Sequence, residues 1–249
     1  MIFSKEDLAL LDKLNFPQKP VAVALVLEPP PGVERIDEKI RICDMVLRAR
    51  QRDPFYAGSE DHNCEAGWSV LGYGDPPQPF TSGMFSAALK CFKTPRAGSR
   101  PYQLNPKLKK GEINYLAFST LDKLTFEPDL LLLCTDGKST LLTLRALVYS
   151  TGKVLESRVT LTMECAWYIA YPYITGEANH FVGSVGYATH RNAVWASGQV
   201  AVCIPRDLIP LVMDNLRELP WDPPFYGPEG LEFKRQLRIK LGLDTSKID

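Results

Sequence analysis

Six cysteines are the side chains of this 249-residue sequence best suited to chemistry, and their surroundings differ. Cys64 lies in the segment 62–65 (HNCE), within an irregular, glycine-rich stretch where titratable neighbours could stabilise a reactive thiolate. Cys165 ends an apolar run just before a turn. Metal motifs with local spacing place two cysteines two to four residues apart, and this sequence contains no such pair. A thiolate site must therefore combine cysteines from separate elements.

A second candidate is the segment 179–191, which holds two of the three histidines. Its glycines, Gly183 and Gly186, are three positions apart and would let backbone amides approach a ligand closely. Ser184 adds a hydroxyl and His190 an imidazole. The segment lacks the G-x-S-x-G pattern of hydrolases. We interpret the segment first as a glycine-containing hairpin or bend between two strands, with a ligand-binding loop that uses Gly183, Ser184, Gly186 and His190 as the alternative.

Two further patterns resemble sites but are typical of ordinary structure. The segment 136–140 (DGKST) resembles the end of a phosphate-binding loop, yet Leu132 stands where that loop requires glycine. We interpret it as a turn between a strand and a helix. Cys91, Cys134 and Cys203 lie in regular helix or strand patterns and are expected to be small buried hydrophobic residues.

Composition excludes several classes of protein. The chain carries 29 basic and 29 acidic side chains and is 45% hydrophobic, which is typical of a folded globule and provides no global field for nucleic acid or anionic membranes. Any such partner would require a local patch. The start of the chain lacks the pattern of a signal peptide, and the apolar runs are too short to span a bilayer. The thiols are expected to be reduced, in the cytoplasm.

The elements that position these residues alternate between helix and strand. Ser4 begins a short helix, 21–27 is a buried strand, and 36–50 is an amphipathic helix with Cys43 on its apolar stripe. The pattern then predicts an ordered loop over 51–80, helices over 82–93, 113–124, 139–150, 206–218 and from 231 onward, and strands over 130–134, 158–170 and 198–204.

This order predicts an α+β (mixed α/β) fold. Residues 1–218 would form one domain in which helices flank a mixed sheet. Residues 219–249 would form a proline-rich linker and a C-terminal helix that packs on the domain or on a partner.

Several short motifs, taken in order, resemble the domain-of-unknown-function 169 (DUF169) family of archaea and anaerobic bacteria. They include 20–22 (PVA), 41–43 (RIC), 64–67 (CEAG), 127–129 (EPD) and 202–205 (VCIP), and the likeness spans about residues 15–217. The resemblance implies that Cys43, Cys64 and Cys165 occupy family cysteine positions. Ser184 replaces a cysteine that relatives tend to carry, so the resemblance does not imply a cluster of four thiolates here. His180 or His190 would be the substitute for the missing fourth ligand. The family implies no particular reaction.

Three functions remain open. The first is a metal or iron–sulfur protein with a redox role, in which Cys43, Cys64 and Cys165 are soft ligands. The second is a small-molecule enzyme or binding protein with a pocket formed by 55–74 and 179–191, where Cys64 is the nucleophile. The third is an interaction module that docks through 219–228. The expected partners are a small-molecule ligand and a second copy in a homodimer, without nucleic acid or membrane.

Overall fold

The computed structural model describes residues 3–183 and 198–247, and its centre is a seven-stranded sheet. The strands are β1 (Gln18–Val26), β2 (Glu34–Arg35), β3 (Phe55–Gly58), β4 (Tyr115–Thr120), β5 (Leu130–Thr135), β6 (Asn179–Val182) and β7 (Val200–Pro205). Their order across the sheet is β2-β3-β4-β1-β5-β7-β6. The pairing of β2 with β3 is parallel and the other pairings are antiparallel. The sheet is therefore mixed, as the sequence predicts.

Helices cover both faces of this sheet. The α-helices are α1 (Lys5–Asp12), α2 (Ile42–Ala49), α3 (Glu65–Val70), α4 (Gln78–Thr81), α5 (Met84–Ala88), α6 (Pro95–Leu104), α7 (Gly137–Val148), α8 (Tyr171–Thr175), α9 (Ile209–Glu218) and α10 (Gly230–Lys240). A π-helix (Ala166–Ala170) leads directly into α8. The architecture is that of one α+β domain.

Two hydrophobic cores lie on opposite faces of the central strands. Leu130 and Leu132 of β5 pack on one face with side chains of α2 and the π-helix, while Leu131 and Leu133 pack on the other with side chains of α1, α7 and α9. A strand buried on both faces cannot alternate apolar with polar residues. This explains why β1 and β5 are the continuous apolar runs of the sequence, and both strand predictions are confirmed.

The helix predicted over 113–124 is wrong, because Tyr115–Thr120 forms strand β4 beside β1. All of β4 after Tyr115 is buried, so it too lacks the alternation of a half-exposed strand. Leu121 and Leu124 belong to the turn that follows and complete a helix-like spacing by coincidence. Short apolar runs are ambiguous in this way, since periodicity alone does not separate a buried strand from a buried helix.

The strand predicted over 158–170 is also wrong. Residues 166–170 form the π-helix, and Met163 has a left-handed backbone with φ of 60°, which ends any extended run. All five side chains of the π-helix are buried, so their aromatic and β-branched composition reflects burial rather than strand pairing. The prediction for 82–93 requires correction too: α5 ends at Ala88, and a separate helix, α6, follows from Pro95.

The other helix predictions agree with the structure apart from their bounds. Ser4 caps α1 through the backbone N–H of Asp7, at 3.1 Å. The predicted amphipathic helix begins at Ile42 rather than at residue 36. The predicted C-terminal helix is α10, whose side chains are mostly exposed. Within the part of the chain that the structure describes, no helix has both the length and the apolar character needed to cross a bilayer.

The two-sided core predicts a sharp contrast between two leucines. Leu132 in β5 is fully buried, whereas Leu141 in α7 is 55% exposed. We expect Leu132→Ala to lower the free energy of unfolding by about 2–5 kcal/mol, because it leaves a cavity in a packed sheet. The matched control, Leu141→Ala, should change it by less than about 0.5 kcal/mol. Chemical denaturation measures both, and equal effects would contradict this description of the core.

Candidate functional site

Three elements far apart in the sequence bring Cys43, Cys64 and Cys165 towards one region. Cys43 is in the first turn of α2, Cys64 is the N-cap of α3, and Cys165 directly precedes the π-helix. All three thiols are free and partly buried. Cys43 and Cys165 both pack against the same hydrophobic core. These residues are called the cysteine cluster below.

Gly67 in α3 is where the elements of the cysteine cluster meet. Its backbone N–H donates a hydrogen bond to Cys64 Sγ at 3.5 Å. A Cβ atom added to Gly67 would lie 3.7 Å from Cys165 Sγ and 3.1 Å from Cδ1 of Ile42, the residue before Cys43. The absence of a side chain therefore lets α3 pack closely against both α2 and Cys165.

The cysteine cluster is electrostatically coupled. Burial, assisted by the Asp44 carboxylate, raises the pKa of Cys43 to about 11. Burial also raises the pKa of Cys165 well above its ordinary value, and negative charge on Cys64 or Cys43 raises it further. Near neutral pH, Cys43 and Cys165 are therefore protonated thiols, and negative charge on Cys64 opposes the ionisation of both.

A surface pocket of about 330 Å³ opens beside Cys64. Its lining consists of 62–65 and Trp68. The indole N–H of Trp68 donates a hydrogen bond to Ser59 Oγ at 2.7 Å, which fixes one wall. The pocket gives solvent and small molecules a route to Cys64, which is the one residue of the cysteine cluster among its lining residues.

His62, on the same loop, is marked by the sequence only as a titratable neighbour of Cys64. Both of its ring nitrogens are shielded from solvent and have no hydrogen-bond partner among the described residues. The ring lies 5.5 Å from that of Tyr73, centroid to centroid. Burial lowers the pKa of His62 to about 4, so the imidazole is neutral near pH 7. Nothing in the sequence marks this burial, since it depends on the packing of the loop.

Tyr102 in α6 is another residue of the site that the sequence patterns do not reveal. Its side chain is buried, and burial together with negative charge on Cys64 raises its pKa to about 12. Its ring also meets Phe80 edge-on, with 6.3 Å between centroids. Tyr102 therefore links the cysteine cluster to the helices α4, α5 and α6. Thirty-seven positions separate it from Cys64, and no local motif joins the two.

The predicted ligand-binding segment is described only in part. Gly183 directly follows β6 and is half-buried. Ser184, Gly186 and His190 lie outside the described residues. The pocket predicted between 55–74 and 179–191 therefore stays a prediction.

The remaining cysteines and the loop-like motif have clear structural roles. Cys134 and Cys203 are buried in the sheet, as predicted, but Cys91 is exposed, so the prediction of burial is wrong for that residue. Asp136 caps α7 by accepting a hydrogen bond from the backbone N–H of Ser139 at 3.0 Å. This confirms a turn from strand to helix at 136–140.

Residues 3–183 and 198–247 do not contain a complete set of metal ligands. No group of three or more His, Cys, Asp or Glu side chains in these ranges is arranged to hold a metal ion. The cysteine cluster is thus a set of neighbouring thiols rather than a formed coordination site.

The sequence profile of the DUF169 family, described as uncharacterised ArCR, matches residues 9–215. The chain belongs to this family. The uncharacterized protein MJ0308 of Methanocaldococcus jannaschii is 29% identical to this DUF169 chain over 189 residues, which cover 73% of the chain and 81% of the relative. No solved structure matches the DUF169 chain. The family resemblance expected from the sequence is therefore confirmed, and neither description names a reaction.

The packing of the six thiols predicts an order of chemical modification. In native DUF169 protein treated with iodoacetamide, Cys91 should react first because it is exposed, followed by Cys64, which opens to the pocket. The fully buried Cys134 and Cys203 should react at least about a hundredfold more slowly, at a rate set by opening of the core. Peptide mass spectrometry over time measures each site, and the urea-unfolded chain is the control. Native Cys203 reacting as fast as Cys91 would contradict the packing.

Proposed function

We propose that the chain binds a soft metal ion or an iron–sulfur cluster through Cys43, Cys64 and Cys165. The observation that carries this proposal is the approach of three thiols, from three separate elements, around Gly67. Thiolates are the ligands preferred by zinc, copper(I) and iron–sulfur clusters. The three side chains must rotate towards the metal, since they flank a common region without forming a complete ligand set.

Electrostatics supports this role. Burial and negative charge on Cys64 both oppose the ionisation of Cys43 and Cys165. A bound cation reverses this balance, because a coordinating thiol loses its proton and the metal neutralises the resulting negative charge. Metal affinity should therefore rise with pH as fewer protons must be displaced. Three protein ligands would leave one position open towards the pocket beside Cys64, for substrate or for a redox partner.

A reducing compartment suits this chemistry. The six cysteines are all free thiols, and a thiolate-bound cluster survives only while its ligands stay reduced. We therefore place the protein in the cytoplasm.

Anaerobic purification tests the proposal. We expect stoichiometric metal by elemental analysis, or a coloured cluster in the visible spectrum, and expect the metal-free protein to show thiolate charge-transfer absorption when titrated with Cd²⁺. Cys64→Ser should abolish the signal, whereas Cys91→Ser should leave it unchanged, because Cys91 lies on the surface outside the cluster. A metal-free protein that shows no absorption with Cd²⁺ would refute the proposal. So would an equal response in the two variants.

A substitution at Gly67 provides a sharper test, because it alters the packing of the cysteine cluster without removing a thiol. Gly67→Ala places a methyl group 3.1 Å from Cδ1 of Ile42, the residue before Cys43, and in ordinary contact with Cys165 Sγ at 3.7 Å. Because α2 must shift to relieve the tight contact, the substitution should weaken metal binding roughly tenfold. Gly137→Ala, at the start of α7, is the matched control because an added Cβ there meets nothing within 4 Å. Thermal unfolding of both variants checks that the fold is retained. Equal metal affinity in the two variants would show that the cluster does not depend on this contact.

The pocket beside Cys64 favours a second candidate, a small-molecule enzyme or binding protein in which Cys64 is the nucleophile. Native mass spectrometry of the purified protein would then show a bound or covalently attached organic ligand. Cys64→Ala should remove that ligand, and Ser184→Ala would test whether the segment 179–191 contributes. If neither substitution altered ligand retention, this candidate would fail.

A homodimer is the proposed oligomeric state, and the C-terminal segment is the proposed contact. Leu231, Leu237 and Leu241 of this segment are 57%, 43% and 60% exposed. An isolated helix as short as α10 is marginal in water, so burial of this face against a second copy would stabilise it. Sedimentation of the full chain tests this, and a monomer at all concentrations would contradict it.

A further inference from the structure

A block of positive charge is hidden within the neutral net charge of the chain. Residues 76–111 contain no Asp or Glu but seven Lys and Arg: Lys90, Lys93, Arg96, Arg100, Lys107, Lys109 and Lys110. With equal numbers of acidic and basic residues overall, the rest of the chain has a net charge of −7. This asymmetry creates a local field of the kind that composition alone cannot reveal.

These cations face solvent without compensation. All seven side chains are exposed. None of them forms an ion pair with a carboxylate in the described ranges, whereas basic residues elsewhere, such as Arg35, Arg48 and Arg217, do. Glu112, just beyond the block, accepts a hydrogen bond from the backbone N–H of Lys109 at 2.8 Å, but its carboxylate forms no ion pair with the seven described side chains. Their ammonium and guanidinium groups are therefore available to an anionic partner.

Helix α5 has its apolar side turned outward. Met84 and Leu89 are 57% and 58% exposed, and Phe85 and Ala88 are exposed as well, while Ser86 is buried. A helix that packs on a core normally shows the reverse pattern. Leu104 at the end of α6 is also exposed, at 59%. Covering these side chains with an apolar phase would be energetically favourable, because it removes apolar surface from water.

The helices α5 and α6 form a firm platform for these groups. Gly83 and Gly98 lie against each other. A Cβ atom added to Gly98 would be only 2.7 Å from the carbonyl oxygen of Gly83 and 3.1 Å from Cβ of Ser86, so there is no room for a side chain at this position. Phe85 also stacks on Phe80, with 4.3 Å between ring centroids. The apolar residues of α5 and Arg96 and Arg100 of α6 are thus presented from a single packed unit. Lys90 and Lys93 lie on the segment that joins the two helices, and Lys107, Lys109 and Lys110 follow α6. We call residues 84–110 the α5–α6 platform.

We propose that the α5–α6 platform binds an anionic lipid surface, with the cations contacting phosphate headgroups and Met84 and Leu89 inserting among the acyl chains. Clusters of four to eight Lys and Arg beside exposed apolar side chains are typical of peripheral attachment to anionic membranes. The sequence analysis expects no membrane partner because the net charge of the chain is zero. The local block of positive charge in residues 76–111 removes that argument. This inference is independent of the metal proposal, because it uses none of the cysteine ligands.

The chemistry of the platform favours lipid over two other anionic partners. Nucleic acid would pair with the cations but leave Met84, Leu89 and Leu104 in water, since it offers no aliphatic phase. Protein interfaces are depleted in lysine, and five of the seven cations here are lysine. A lipid surface alone satisfies both the lysines and the aliphatic side chains.

Vesicle flotation with the full chain tests the proposal. The probes are phosphatidylcholine vesicles with and without phosphatidylglycerol. We expect the protein to float only with the vesicles that contain phosphatidylglycerol, and to dissociate as salt rises. Reversing four cations (Lys90→Glu, Lys93→Glu, Arg96→Glu and Arg100→Glu) should lower partitioning at least about a hundredfold, since each cation contributes roughly fivefold.

Two further variants separate binding through the platform from a general effect of charge. The charge-matched control reverses Lys5, Lys13, Lys39 and Lys138, which are exposed lysines outside the platform, and should bind as the original chain does. The double variant Met84→Ser and Leu89→Ser keeps every charge and should still lose about tenfold or more through its lost apolar contact. Circular dichroism confirms that each variant is folded.

Several results would overturn the proposal. Failure to float with phosphatidylglycerol at low salt would do so, as would equal losses in the platform variant and the charge-matched control. Tighter binding to a single-stranded oligonucleotide, unaffected by the serine variant, would instead identify the block as a nucleic-acid surface. The Cd²⁺ response of the cysteine cluster should be the same in all these variants, so failure of one proposal leaves the other intact.

Discussion

Burial of the central sheet on both faces is the constraint on which the rest of the structure depends. β1 and β5 lie at its centre: β5 contributes side chains to both hydrophobic cores, and β1 contributes Val21, Val23 and Leu25 to one of them while its Ala22 and Ala24 are also buried, so helices must cover each face. One of these layers contains α2 and the π-helix, which carry or adjoin two of the three clustered cysteines. The site is therefore a consequence of how this helical layer packs, with Gly67 at the point where α3 meets Ile42 and Cys165.

The same burial determines the chemistry of the cluster. A thiol removed from water is hard to ionise, and the resulting neutral state of Cys43 and Cys165 suits packing against hydrophobic residues. A cation with an affinity for sulfur would change that preference, since it offsets the negative charge of thiolates more effectively than water does. In this account, Cys64 is the point of entry, because it alone of the three opens to the pocket.

Continuous apolar runs, caps and turn residues make the central strands and several helices predictable. β1, β5 and α7 follow directly from them, although α7 begins at Gly137, with Asp136 as its cap, rather than at the predicted residue 139. β4 escapes prediction because its apolar run is short and Leu121 and Leu124 beyond it complete a helix-like spacing, and the π-helix does so because buried aromatic residues resemble a strand. The approach of Cys43, Cys64 and Cys165 is suggested by family resemblance alone. The role of Tyr102 and the burial of His62 have no local signal, because both depend on contacts between distant segments.

The central claim is that these three thiols act together as ligands, and X-ray absorption at the edge of a bound metal tests it most directly. Zn²⁺-loaded protein should show three sulfur neighbours at about 2.3 Å, the usual zinc–thiolate distance. In Cys165→Ser, one of these sulfur neighbours should be replaced by a lighter atom, while Cys91→Ser should leave the spectrum unchanged. A first shell made only of nitrogen and oxygen, or one unaffected by Cys165→Ser, would contradict the claim.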